Sequence, residues 1–468
     1  MRPVILLGHS NFLAHDSKQQ EKMKPYSPLS TLLAAALLRQ AGHEIALFDA
    51  TFASGIDDFE TMLDELRPTV VVIMEDNFNF LTKMCTTVRR ETALAMIRAA
   101  SARGCKVAAN GPDVSDNPAL YLDAGADAVV LGEGEMALLD LVGHWQNQED
   151  EPASIPGLIL ADAHGVKTTH VRRPLQDLDE LPHPAWDLLD VVSYRSAWQA
   201  AHGEFSWNVA TSRGCPYACN WCAKPTFGRR YTVRSPEDVA NEVRLLKQQL
   251  EPDHLWFTDD ILGLDVDWVC EFAEEIRRQD AVIPFSMQSR VNLMTDKSVA
   301  ALAAAGAREV WLGVESGSQK ILDAMDKGTT VDAARLATRV LKAHGIKACW
   351  FIQLGYPSET WLDLISTRDF IRDEEPDDIG VSVAYPLPGT EFYDRVRAQL
   401  GWQRNWKDTG ELAMLFQGTY DTEFYRKVRD VLHDEAASRK PRADCWRRLE
   451  REATSHRSPQ PFRLAVGR

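Results

Sequence analysis

The chain has 468 residues, enough for two to four domains and a large core. Its 45% apolar and 26% charged residues are typical of an ordinary soluble protein, and a net charge of −16 argues against a general nucleic-acid binder, which must neutralise phosphates. No apolar stretch approaches the ~18 residues of a membrane span. Five of the eight cysteines are scattered, as expected for reduced thiols of a cytoplasmic protein.

Residues 1–146 are predicted to form a flavodoxin-like (Rossmann-like) α/β domain, because apolar, β-rich segments alternate with helical patterns. The predicted strands span residues 3–7, 43–48, 69–74, 106–109 and 126–131. The predicted helices span residues 29–40, 57–66, 83–102, 117–124 and 135–146.

Ligands of such a sheet bind at the carboxyl ends of its strands, and small or polar residues follow the predicted strands here. No G-x-G-x-x-G pattern follows the first strand, so a dinucleotide site is not expected. The candidate ligand contacts are Ser10, Asn77, Asn110, Gly111, Gly132 and Glu133. Each polar residue in this set could instead cap a helix.

Residues 147–206 are predicted to be a connector that begins with a polar segment. Two short strands, 157–160 and 166–171, flank a turn and predict a hairpin. His164 in this turn is expected to be a solvated loop residue and not a ligand. No chemistry is assigned to this segment.

Three cysteines with the spacing C-x3-C-x2-C follow a predicted strand: Cys215, Cys219 and Cys222. Zinc prefers four ligands, usually in paired C-x2-C units, and no fourth Cys or His completes such a set here. Three thiolates on a cubane iron–sulfur cluster leave one iron open, and soft thiolates suit iron. A disulfide is the alternative, but it requires an oxidising compartment and an even number of partners.

This motif, with Trp221 before the last cysteine, resembles that of the radical S-adenosylmethionine (SAM) enzymes. In that family the open iron of a [4Fe-4S] cluster binds the amino and carboxylate groups of SAM, and an electron from the cluster breaks a C–S bond. The resemblance implies that the three cysteines are metal ligands and that Trp221 belongs to the SAM site. It also implies an external electron donor such as flavodoxin or ferredoxin.

Residues 207–395 are predicted to form a partial (β/α)6, TIM-like radical SAM barrel with function at the carboxyl ends of its strands. Its strands are predicted over residues 208–212, 254–258, 285–289, 309–314, 348–354 and 379–384. The resemblance implies SAM contacts after five of these strands. They are Asp259 for the amino group, Arg290 for the carboxylate, Glu315 for the ribose, Gly355 against the adenine and Tyr385 as a wall of the pocket.

The first domain is similar to the cobalamin-binding domain that precedes many radical SAM cores, given its five-strand pattern ending in the glycine-rich residues 132–135. In methionine-synthase-like domains, a D-x-H-x-x-G loop supplies a histidine that ligates cobalt. Here the matching stretch begins at Asp49, and Thr51 replaces the histidine. We therefore expect cobalamin without a cobalt-ligating histidine. The alternative is a vestigial domain that binds no corrinoid.

Residues 396–468 are predicted to be a helical C-terminal region with an amphipathic helix over residues 424–437. The end of the chain is basic, and with Trp446 among its arginines it could contact an anionic membrane surface. The simpler interpretation is a solvated helix face followed by a frayed terminus.

The order of these segments resembles that of cobalamin-dependent radical SAM enzymes. Residues 313–318 and 325–330 resemble the branch that holds the anaerobic magnesium-protoporphyrin IX monomethyl ester cyclase and hopanoid-modifying enzymes. This implies a 5′-deoxyadenosyl radical that abstracts hydrogen from an unactivated carbon, followed by C-methylation from methylcobalamin.

Two alternatives to methylation stay open. One is a radical cyclisation or oxidation in which cobalamin carries electrons or is absent, and the other is a non-catalytic SAM-binding iron–sulfur protein. A methylthiotransferase is less expected, because the sequence has no second three-cysteine cluster. A lipid, a tetrapyrrole or a natural-product intermediate would each fit as the substrate.

Overall fold

The computed structural model describes residues 4–147, 152–162, 165–222 and 226–455. Its first sheet contains seven strands: β1 (Val4–Gly8), β2 (Glu44–Phe48), β3 (Val70–Met74), β4 (Lys106–Asn110), β5 (Ala128–Val130), β6 (Leu158–Asp162) and β7 (Gly165–Thr168). The strand order is β2-β1-β3-β4-β5-β6-β7, and the first five strands are parallel. The order of those five strands is that of flavodoxin-like folds, as predicted.

Helices cover both faces of this sheet: α1 (Ser17–Lys22), α2 (Leu29–Gln40), α3 (Ile56–Leu66), α4 (Phe80–Lys83), α5 (Thr87–Ala102), α6 (Pro112–Asp116), α7 (Pro118–Asp123) and α8 (Glu135–Gln146). Alternate strand residues point to opposite faces, so Leu7 and Val72 pack with α2 and α8, whereas Leu6 and Val71 pack with α3 and α5. Burial on both faces explains why these strands are almost continuously apolar.

The sheet is two strands wider than the sequence pattern predicted. The hairpin expected in the connector forms, but β6 pairs antiparallel with β5, with Val129 opposite Ile159. The hairpin therefore extends the first sheet. The tip of its turn, including His164, lies outside the described residues.

The second sheet contains six parallel strands: β8 (Ser206–Val209), β11 (His254–Phe257), β12 (Phe285–Ser289), β13 (Ala307–Glu315), β14 (Lys347–Leu354) and β15 (Asp378–Val383). Their order is β15-β14-β13-β12-β11-β8, and a small antiparallel pair, β9 (Ser212–Arg213) and β10 (Thr232–Val233), lies beside them. The predicted partial (β/α)6 barrel is confirmed.

The remaining helices are α9 (Val191–His202), α10 (Pro236–Gln249), α11 (Val266–Arg278), α12 (Asp296–Ala305), α13 (Gln319–Ala324), α14 (Val331–Ala343), α15 (Trp361–Glu374), α16 (Glu391–Val396), α17 (Thr422–Ser438) and α18 (Ala443–Ser455). Helix α9 was not predicted from the sequence. Helix α10 begins as its sequence predicts, because Ser235 Oγ accepts a hydrogen bond from the Asp238 amide at 3.1 Å and Pro236 follows the cap.

The C-terminal helices pack on the barrel. Trp446 is only 3% exposed, and its indole donates a 3.0 Å hydrogen bond to Glu435. Its side chain is therefore not available to a membrane surface, whereas a membrane contact through the basic residues of the tail stays a prediction. No helix within the described ranges has the length and apolarity to cross a bilayer. The basic residues Arg457, Arg463 and Arg468 lie outside those ranges.

A buried histidine joins three strands at the amino end of the barrel sheet. His254 on β11 lies between Ser206 Oγ at 2.8 Å and Ser286 Oγ at 2.7 Å, on the two neighbouring strands. Burial, together with the nearby Arg308 charge, lowers the pKa of His254 from 6.5 to about 4. The folded protein therefore accommodates the neutral ring.

We expect His254→Gln to weaken the pH dependence of folding. Because the folded-state pKa is depressed, the stability contributed by the neutral ring is complete above pH 6.5 and is lost as the pH falls towards 4. Between pH 7 and pH 5, the cofactor-free wild type should lose about 2 kcal/mol more unfolding free energy than the variant. Urea unfolding followed by tryptophan fluorescence measures this, and parallel pH profiles would contradict the assignment.

Candidate active site between the two sheets

The carboxyl ends of the two parallel sheets face each other. Lys83, in the segment after β3, forms a 2.5 Å ion pair with Asp260, which follows β11. The amide oxygen of Asn77 accepts a 3.0 Å hydrogen bond from Thr226 Oγ1. Asn77, predicted to contact the corrinoid, and Asp260, the neighbour of the predicted SAM contact Asp259, thus lie in one interdomain region.

The three predicted metal ligands lie on one loop at this interface. Cys215 and Cys219 are buried, Cys222 is half-buried, and none of the three forms a disulfide. Gly214 directly precedes the first of them with a φ of 79°, and a Cβ there would lie 2.2 Å from the Arg230 carbonyl oxygen. The loop can follow this path only with glycine at position 214.

Asn220, between the second and third cysteines, anchors the loop to the barrel. Its side-chain amide donates to the Ala324 carbonyl at 2.9 Å and to Asp326 at 2.6 Å, and it accepts from the Tyr356 hydroxyl at 2.7 Å. Its backbone carbonyl accepts from the Phe392 amide at 3.0 Å. Asn220 is not among the residues that the sequence predicted for the site, although its place inside the cysteine motif was the available signal.

The donor set fits an iron–sulfur cluster. Among the described residues, no group of three His, Cys, Asp or Glu side chains is placed to hold one metal ion. A cubane cluster differs from such a site, because each thiolate binds its own iron. Arg290 donates from Nη1 to Cys219 Sγ at 3.3 Å, so one sulfur already faces a cationic hydrogen-bond donor.

Two of the three charged residues predicted to bind SAM, Arg290 and Asp259, differ in whether they keep an unpaired polar atom. Arg290 is committed to the cysteine loop: besides Cys219, it donates to the Lys327 carbonyl and stacks 3.7 Å from the centroid of Tyr217. Asp259 accepts three hydrogen bonds at Oδ1 from Thr211 and Ser212. Its buried Oδ2 has no partner among the described residues, and burial raises the pKa of Asp259 to about 6.

Glu315 forms a buried ion pair with Lys327 at 2.8 Å. Gly313 makes room for this pair, since a Cβ at that position would lie 2.7 Å from Lys327 Nζ. Lys327 Nζ is also 5.7 Å from the ring centroid of Trp221, whose buried indole N–H has no hydrogen-bond partner in the described part of the chain. Trp221, Glu315 and Lys327 therefore form one cluster beside the cysteine loop.

Gly355 and Tyr385 are occupied by protein contacts that the sequence did not predict. A Cβ on Gly355 would meet Met414 at 2.9 Å and Tyr425 at 3.2 Å, so the expected space for adenine on that side is filled. The Tyr385 hydroxyl donates to the Met84 carbonyl at 3.1 Å, and its ring stacks on Trp406 at 4.4 Å. Tyr385 thus ties the barrel to the first domain.

The predicted corrinoid contacts fall into two groups. The first group makes contacts within the protein. The side chains of Asn77 and Asn110 form a 2.9 Å hydrogen bond that links two strand ends, and Gly111 allows the close approach of Glu75. Ser10 Oγ, in contrast, is buried with no partner among the described residues. Gly132 has a φ of 69°, and no described atom lies within 4 Å of its Cβ position. Ser10 and Gly132 provide the free polar atom and open space that a flat ligand requires.

His9, which follows β1, is hydrogen-bonded to other residues of the protein. His9 is 1% exposed, its Nε2 lies 3.0 Å from Asp49 Oδ1, and its Nδ1 accepts from the Asn11 amide at 3.2 Å. At the position expected for a cobalt ligand, Thr51 Oγ1 bonds to the Tyr194 hydroxyl at 2.9 Å. Both observations fit a corrinoid site without a histidine ligand.

Arg213 joins the cysteine loop to the loop after β5. Its guanidinium contacts Glu133 at 3.2 Å and Glu135 at 2.8 Å. The rings of Phe78 and Phe227 lie 5.6 and 5.4 Å from its central carbon. Glu133 is therefore paired with an arginine of the barrel. This ion pair holds the loop on which Glu133 was predicted to contact the corrinoid.

Two family models match the chain. The "B12 binding domain" matches residues 24–142, and the "Radical SAM superfamily" matches residues 209–371. The chain contains a B12-binding domain followed by a radical SAM domain. The predicted family is thus confirmed, and its two domains are those of proteins that use a [4Fe-4S] cluster, SAM and cobalamin.

Curated relatives span most of this radical SAM protein. An uncharacterized methyltransferase of Pyrococcus horikoshii is 28% identical over 81% of this chain and 81% of its own length. The anaerobic magnesium-protoporphyrin IX monomethyl ester cyclase of Rubrivivax gelatinosus is also 28% identical, but the match covers 58% of this chain and about half (49%) of the cyclase.

A solved structure has the same fold. The radical SAM methyltransferase TsrM of Kitasatospora setae, determined with cobalamin and a [4Fe-4S] cluster, superposes with a TM-score of 0.69. The match covers 85% of this chain and 78% of TsrM at 21% identity. The predicted fold, a flavodoxin-like domain followed by a radical SAM barrel, is therefore confirmed, whereas the individual site residues stay predictions.

We expect Gly214→Ala to impair cluster assembly, because its Cβ would collide with the Arg230 carbonyl and move the cysteine loop. The matched control is Gly228→Ala, which has a similar φ of 72° but no described atom within 4 Å of its Cβ position. Iron content and visible absorption after anaerobic reconstitution measure the effect. Equal iron content in both variants would contradict this role of Gly214.

Proposed function

We propose that the protein is a cobalamin-dependent radical SAM enzyme that methylates an unactivated carbon of a small molecule. The observation that carries the proposal is the position of the cysteine loop: it lies at the same interface as Ser10 and Gly132, across which Arg213 reaches Glu133. Two cofactor sites on facing sheet edges let one substrate contact both.

When bound, the cofactors supply the chemistry: an electron from the cluster cleaves SAM to a 5′-deoxyadenosyl radical, and methylcobalamin provides the methyl group. The protein contributes ligands and placement. Cys215, Cys219 and Cys222 would hold the cluster, and Asp259 Oδ2, buried and without a partner among the described residues, would accept the SAM ammonium.

The surroundings of the site would exclude water. Phe78 of the first domain packs on Phe227 of the barrel with ring centroids 5.0 Å apart, and both are buried. Tyr385 and Trp406 close a neighbouring part of the interface. A dry site protects a reactive radical from side reactions.

A radical cyclisation is the second candidate, favoured by the Rubrivivax relative, which is named as a cyclase. The two reactions leave different products of SAM. Methyl transfer from SAM to the corrinoid leaves S-adenosylhomocysteine, whereas radical formation leaves 5′-deoxyadenosine. Anaerobic incubation with reductant therefore distinguishes them: methylation predicts both products, and cyclisation predicts 5′-deoxyadenosine alone.

We further propose a cytoplasmic enzyme that receives electrons from a flavodoxin or ferredoxin and acts on a lipid, tetrapyrrole or natural-product intermediate. None of the eight cysteines forms a disulfide, which supports a reducing compartment.

We expect Cys219→Ala to lose reductive SAM cleavage, because removal of one of three thiolates prevents correct cluster binding. The matched control is Cys270→Ala, which alters a half-buried cysteine on α11. Chromatography should show 5′-deoxyadenosine at background level for the first variant and at the wild-type level for the control. Undiminished cleavage by Cys219→Ala would contradict the cluster assignment.

A further inference from the structure

Arg213 is buried at the point where the two domains meet. It is the last residue of β9 and stands two residues before Cys215, and its side chain is only 4% exposed. Both carboxylates that it contacts belong to the segment after β5, which also contains Gly132. One side chain thus connects the two loops that carry the candidate cluster and corrinoid sites.

Two carboxylates and two aromatic rings contact the guanidinium of Arg213. Glu135 is bidentate, with its oxygens 2.8 and 3.3 Å from Nη2 and Nη1, and Glu133 lies 3.2 Å from Nη1. Phe78 and Phe227 flank the group. Lysine lacks the planar fork and cannot form the bidentate pair or the same stacking. Burial also raises the pKa of Glu135, so the carboxylate depends on Arg213 to remain ionised.

Other contacts keep the domains docked independently of Arg213. Lys83 pairs with Asp260, Thr226 bonds to Asn77, and the Tyr385 hydroxyl bonds to the Met84 carbonyl. None of these contacts involves the loop after β5. Loss of the bidentate contact should therefore loosen one loop while the interface persists.

We infer that Arg213 is a positioning residue that fixes the loop at residues 132–135 against the cysteine loop and so sets the separation of the two cofactor sites. The effect on the separation of the two cofactors rests on the proposed function. The juxtaposition of the two loops is observed directly in the ion pairs and ring contacts of Arg213 and does not depend on the proposed function.

The test compares Arg213→Lys with Arg308→Lys. Arg308 forms a bidentate pair with Glu204 at 2.7 and 2.8 Å near the amino end of β13, on the opposite side of the barrel from the site. In the cofactor-free protein, amide hydrogen exchange of the peptide covering residues 132–135 should become several-fold faster in Arg213→Lys and stay at the wild-type rate in Arg308→Lys. Glu133→Gln, which removes one charge from the half-buried partner, should have a smaller effect in the same direction.

The loaded protein gives a second readout. After reconstitution with iron, sulfide and hydroxocobalamin and then reduction, electron paramagnetic resonance reports the magnetic interaction between cob(II)alamin and the reduced cluster. We expect Arg213→Lys to retain both cofactors but to show a weaker, more heterogeneous interaction than the wild type and Arg308→Lys.

Unchanged exchange of residues 132–135 in Arg213→Lys would overturn the inference, as would an unchanged magnetic interaction. Failure of the proposed function has a different signature, because the wild type itself would then retain no corrinoid. In that case the exchange experiment still decides whether Arg213 positions the loop, since it uses protein without cofactors.

Discussion

The contact between the carboxyl ends of two parallel sheets organises this protein. Strand ends leave backbone groups and loop side chains that must find partners, and here each sheet supplies partners for the other. The result is an interface of buried charges, such as Arg213 with Glu135 and Lys83 with Asp260. A buried charge is tolerated only when it is paired, so these contacts define one docking geometry with little freedom to slide.

The path of the cysteine loop also depends on contacts with distant residues of the barrel. Its path requires glycine at position 214, and Asn220 connects it to α13, to the residues after that helix and to α16 through hydrogen bonds. Arg290 approaches the loop from the end of β12 and donates to Cys219. Hydrogen bonds to cluster sulfurs influence reduction potential. In the proposed enzyme, Arg290 would therefore influence the potential of the cluster as well as position the loop.

Much of the architecture was predictable because its signals are local. Helices α2 and α8 have the predicted bounds, and α10 begins at the cap that Ser235 and Pro236 form, since apolar periodicity and terminal residues are local signals. The connector hairpin was also predicted, but its pairing with β5 was not. That pairing joins strands separated by a polar segment, and nothing in either strand specifies its neighbour.

The sequence by itself determined the family, the two-domain order and the approximate positions of the strands with the residues that follow them, because cysteine spacing and strand periodicity are properties of short segments. Only the tertiary structure decided which of those residues remain free. It directed Arg290 to a cysteine, filled the space beside Gly355 with Met414 and Tyr425, and buried Trp446 against the barrel. These partners come from distant parts of the chain. The residues next to a charged or aromatic side chain in the sequence do not indicate which distant residue it will contact.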